Sequence, residues 1–114
     1  MSFETDFTAA IAAQCARVYP DFAPPDTARP YVTWQQVGGP VINPMDSSVP
    51  GSRGHRVQVN VWADDRKGAN ELLNAIEDAL RPAPLHGRPD GALIARVDEL
   101  GLLRGAQQDF MFWR

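Results

Sequence analysis

Cysteine occurs once in this chain and histidine twice, and no apolar run approaches the roughly 20 residues that a membrane-spanning helix needs. The lone thiol, Cys15, excludes an internal disulfide and any multi-cysteine zinc site. His55 and His86 have no companion at metal-ligand spacing such as H-x-x-x-H, so a metal would need ligands gathered from distant segments. No GxGxxG, P-loop or GxSxG is present. "GGPVINPMDSSVPGSRG" (38–54) has glycines and serines but no lysine or helix onset at phosphate-loop spacing. The net charge is -3 and the 11 basic residues are scattered, whereas a dedicated duplex binder shows a basic stripe. Tight nucleic-acid binding is not expected; a local contact with DNA passing through a larger assembly stays open. "MSFETDFTAA" carries acids where a signal peptide carries lysines, so the expectation is a chain made and kept in a cytoplasm, with no membrane partner.

What is present suits one folded domain: 114 residues and a hydrophobic fraction of 44%. Phe3, Phe7, Ala10, Ile11, Cys15 and Val18 recur at helical spacing and predict a helix over 3–18, stopped by Pro20. "PDFAPPDTARP" (20–30), with its four prolines, reads as a stiff surface connector. Strands are expected at 31–37 and 55–63, separated by a long loop over 41–54. Ala69, Leu72, Leu73, Ile76, Ala79 and Leu80 make the stripe of a helix over 65–81, capped by Asp64 or Asp65. The stretch 82–91 reads as loop with "RPDG" as a turn, 92–104 as a bulged strand, and "QQDFMFWR" as the last strand. The predicted architecture is α+β: a mainly antiparallel four-stranded sheet with two helices on one face, in α-β-β-α-β-β order.

The strands "RPYVTWQQVGG" and "HRVQVNVWADD" raise a question of surface chemistry. Val57, Val59 and Val61 share one side of the second, leaving Arg56, Gln58, Asn60 and Trp62 on the other. In the first, Thr33 and Gln35 share a face with Tyr31 and Val37. A sheet face of amides, threonine and tryptophan is neither dry core nor a charged water-facing surface. No set of residues forms a catalytic constellation: Cys15 reads as a buried thiol, the paired aspartates as helix caps, and Trp34, Trp62 and Trp113 as core or subunit packing in preference to base stacking. A non-catalytic binding or assembly domain without cofactor is the reading these residues support.

The order "YPDFAPPDTARPYVTWQQVGG", a loop, then "RVQVNVWADDRKGANELLNAIEDAL" resembles a family of small proteins of long-tailed phages and prophages. They are described as tail completion, tail terminator or tail-to-head joining proteins. The resemblance covers residues 17–81 well and the remainder in outline. It implies an α+β fold and a structural role without catalytic residues. It further implies a ring of identical subunits, often hexameric, at the top of the tail tube. Its partners would be further copies of itself, the tail tube protein and the head connector protein. Its location would be the host cytoplasm during assembly and then the head-tail junction of the virion. A small nucleic-acid-binding or other tail-associated module is the alternative. On this reading Thr33, Gln35, Gln58, Asn60 and Trp62 are candidates for the subunit interface or the channel lining, with Trp62 as an anchor. Asn43, Met45, Asp46, Arg53, His55 and Arg56, in and beside the long loop, are candidates for contact with a partner.

Overall fold

In the computed structural model, residues 3–38, 54–97 and 103–113 are described. Helix α1 spans Phe3–Ala12 and buries Phe3, Phe7 and Ile11, one residue per turn along a single stripe. It ends well short of the predicted boundary. From Val18 the backbone joins a sheet instead: strand β1, Val18–Pro20, lies parallel to β2, Tyr31–Gln36, with Val18 opposite Val32 and Tyr19 opposite Thr33. Val18 is β-branched and Tyr19 aromatic, and both are better placed on a pleated surface than in a helix. Pro20 is tolerated because β1 is an edge strand. Cys15 consequently sits beyond the helix, not within it, though it is buried as expected.

Strand β3, Gly54–Ala63, pairs antiparallel with β2 on one side and with β5, Arg104–Trp113, on the other. Between β3 and the remaining strands runs α2, Arg66–Leu80. Its N-cap is Asp65, whose carboxylate accepts a hydrogen bond from the Gly68 amide at 2.7 Å. Strand β4, Arg88–Val97, pairs antiparallel with β5. The sheet order is β1-β2-β3-β5-β4.

The sheet is therefore five-stranded and mixed, not four-stranded and mainly antiparallel; the α+β class stands. One local reading accounts for the difference: the helix prediction absorbed β1. A second misplaced the start of β4, because "RPDG" is not a turn between elements. Arg88, Pro89 and Asp90 already pair with Met111, Phe110 and Asp109, and the turn chemistry is used inside the strand. Gly91 takes a φ of 93°, which only glycine adopts freely, and residues 91–93 bulge opposite Gln108. Gln108 is a buried polar residue of the core face, 6% exposed; its amide donates to Gly91 O at 3.1 Å and to Glu77 Oε1 at 3.4 Å.

Both helices lie on the same side of the sheet. Val32, Trp34, Val57, Val59, Val61, Ala106, Phe110 and Phe112 meet Phe3, Phe7 and Ile11 of α1 and Ala69, Leu73, Ile76 and Leu80 of α2. Phe7 packs edge-on against Trp34 and Phe112, with ring centroids 5.2 and 5.6 Å away. Each large buried side chain contributes about 1.5–3 kcal/mol relative to exposure. This helix-covered core holds the strands, and with them the opposite sheet face, in register.

Candidate functional site

The pairing registers put the amides side by side on the face without helices. Tyr31, Trp62, Gly105 and Arg96 form one row across β2, β3, β5 and β4. The next row is Thr33, Asn60, Gln107 and Ile94. The third is Gln35, Gln58, Asp109 and Asp90, and beyond it lie Arg56, Met111 and Arg88. All five residues expected from sequence to share this face do share it. Asn60 Nδ2 donates to Gln58 Oε1 at 3.3 Å, so the ladder is partly self-bonded.

The five differ in accessibility. Gln35 is exposed, Gln58 and Asn60 are half-buried, and Thr33 is 8% exposed. Thr33 lies in a cleft of about 580 Å³ with Tyr31 and Trp62, walled by the connector residues Asp21–Thr27 and by Arg29. Arg29 Nε is 2.5 Å from Asp64 Oδ1, which ties the connector to the end of β3. The Trp62 ring lies on Gly105, where a β-carbon would come within 2.8 Å of two indole carbons. The indole is thus half-buried against its own sheet.

Of the loop candidates, Asn43, Met45, Asp46 and Arg53 lie outside the described residues. His55 and Arg56 belong to β3 and already have partners within the chain. His55 faces the helices and stacks on Phe3, centroids 4.6 Å apart. Arg56 faces the amide side, with Nε 2.9 Å from Asp90 Oδ2. The contact is an ion pair whose angle falls short of a hydrogen bond, and it reaches from β3 over β5 to β4. It partly offsets the like charges of Asp90 and Asp109, which are opposite each other. With both side chains close to half exposed the pair contributes about 0–1 kcal/mol.

Sequence reasoning missed Gln107, Asp109 and Asp90 on this face. The signal was the alternation of 106–113, with Ala106, Phe110 and Phe112 on one side and Gln107, Asp109, Met111 and Trp113 on the other. Gln108, a polar residue on the apolar side, obscured it. Among the described residues, no group of three or more His, Cys, Asp or Glu side chains could hold a metal ion.

A small α+β domain with one sheet face under two helices and the other lined by amides has its distinctive surface on that second face. The family model described as Tail completion protein gp17 matches residues 5–113, and the chain belongs to that family. It is a structural component of tail assembly. Among solved structures, a chain from the "Virion of native gene transfer agent (GTA) particle" is similar, with a TM-score of 0.57 and 26% identity. The match covers 92% of this chain and 84% of that one. No curated protein matches.

Proposed function

We propose that this protein completes the tail by closing the upper end of the tail tube as a ring of identical subunits and offering a surface to the head connector. Family membership supports the tail role; the amide-lined sheet face is the observation that carries the ring. Gln35, Gln58, Asn60 and Gln107 hold uncharged donors and acceptors in neighbouring positions on one plane. Such groups hydrogen-bond to another subunit or line a water-filled channel without the phosphate attraction of a basic surface. Asp90 and Asp109 on the same face partly offset Arg56, Arg88 and Arg96, so no strong basic stripe runs across it.

The test is deletion of the gene in its phage, prophage or phage-like element, with the lysate viewed by negative-stain electron microscopy. Filled heads beside unattached, over-long or ragged tails are expected. Intact infectious particles from the deletion would remove this reading. Complementation with the double variant Gln58→Glu and Asn60→Glu is expected to leave the monomer folded and the tails unjoined. Normal particle yield from that variant would show that the amide face takes no part.

A further inference from the structure

Two separate patches of the subunit carry opposite charge: guanidinium groups at the Arg96 end of β4, and carboxylates on the wall of the cleft over β2 and β3. On the β4 side, Arg96 Nη1 donates to Gln107 Oε1 at 2.6 Å, and Arg66 donates to the carbonyl oxygens of Gly105 and Arg96 at 2.5 and 3.2 Å. Neither guanidinium has a carboxylate partner among the described residues. Beside them Ile94 and Val97 are 55% and 52% exposed on an edge strand that pairs only with β5. Across the sheet, the cleft wall presents Asp21 and Asp26, whose carboxylates have no partner among the described residues, and Phe22, 87% exposed. The cleft floor, Tyr31, Thr33 and Trp62, occupies the same two rows of the sheet as Arg96 and Ile94.

We infer that the Arg96 end of β4 in one copy docks into the Asp21–Asp26 cleft of the next copy. The inference rests on the ring reading and specifies its contact. A closed ring of identical chains needs a head-to-tail interface made of two different patches on opposite sides of the subunit. Here one side has two guanidinium groups without a carboxylate partner among the described residues, beside two exposed aliphatic residues, and the other has two carboxylates without a partner among the described residues, beside an exposed aromatic and a cleft. Charge complementarity selects a second copy of this chain as the occupant. The bulge over 91–93 breaks the outer hydrogen-bonding edge of β4, so side chains and not a continued strand ladder make the contact. The contact covers the Tyr31, Thr33 and Trp62 end of the amide face and leaves the row of Gln35, Gln58 and Asp109 free to line the channel. Arg81, exposed at the far end of α2 on the helix side, lies off this contact.

The experiment uses the gene-deleted element complemented with variants, and reads infectious or transducing particle yield, tail-end images and disulfide capture. Arg96→Glu is expected to lower yield roughly tenfold or more, and Arg81→Glu, on the helix side, to leave it near wild type. Asp21→Lys with Asp26→Lys is expected to be defective alone and to recover part of the yield when combined with Arg96→Glu. Thermal unfolding of each purified variant checks that loss of yield is not loss of fold. Arg96→Cys with Asp26→Cys, oxidised in purified tails, is expected to give a ladder of linked chains. Rotationally averaged tail ends with several copies but no ladder, together with normal yield from Arg96→Glu, would overturn the edge contact and leave the ring standing. Tail ends without multiple copies would overturn the ring itself.

Discussion

The indole of Trp62 rests on the backbone of Gly105, its partner across β3 and β5, so closely that no side chain fits between them. Glycine at 105 is thus a packing requirement. Trp62 covers the backbone of β5 at Gly105, which is buried beneath it, and forms part of the floor of the neighbouring cleft. Gly105→Ala forces the ring away and also crowds Val61 O, at 3.0 Å from the added carbon. A loss of about 1–3 kcal/mol is expected in denaturant unfolding. In a Trp62→Ala background the same substitution is expected to be distinctly milder, because the obstructing ring is gone. Equal losses in the two backgrounds would mean that the ring contact is not what glycine serves.

Gln108→Leu tests the polar pin behind the β4 bulge. Leucine suits the apolar surroundings but leaves the Gly91 carbonyl without the 3.1 Å bond it receives from the amide. The expected loss is about 1–3 kcal/mol, with faster amide exchange in β4 than elsewhere in the sheet. Uniform exchange rates would argue that the bulge holds without Gln108.

Asp65→Ala removes the N-cap of α2. Denaturant unfolding is expected to show a loss of about 1 kcal/mol, and Asp65→Asn to recover most of it because the amide oxygen still reaches the Gly68 amide. If asparagine fares no better than alanine, the aspartate acts through its charge and not through the cap.

Phe7 lies fully buried where α1, β2 and β5 converge, touching Phe3, Trp34 and Phe112. Phe7→Ala is expected to cost about 3–5 kcal/mol and to loosen α1 first, visible as early proteolysis near the N-terminus. A loss below about 1 kcal/mol would show that α1 contributes little to the core.

Several features were legible in the sequence because they depend on local pattern alone. The alternation of Val57, Val59 and Val61 identified β3 and its two faces, and therefore the shared side of Gln58, Asn60 and Trp62. The stripe Ala69, Leu72, Leu73, Ile76, Ala79 and Leu80 identified α2 to within a residue, and of the two cap candidates, Asp64 and Asp65, the structure uses Asp65. The ordered segments from Tyr19 to Leu80 carried the resemblance that the family match over 5–113 bears out.

Tertiary structure decided the remainder. Whether Val18–Pro20 ends a helix or starts a strand depends on Tyr31–Trp34 lying alongside, a partner more than ten residues away in the chain. Whether "RPDG" turns the chain or opens β4 depends on Asp109–Met111 being available to pair with it. Periodicity reports which side of an element is apolar, since that follows from backbone geometry within a few residues. It does not report which elements compete for the same backbone hydrogen bonds, nor that Asp26 comes to line a cleft with Tyr31, Thr33 and Trp62. Those relationships exist only once strands distant in sequence have paired.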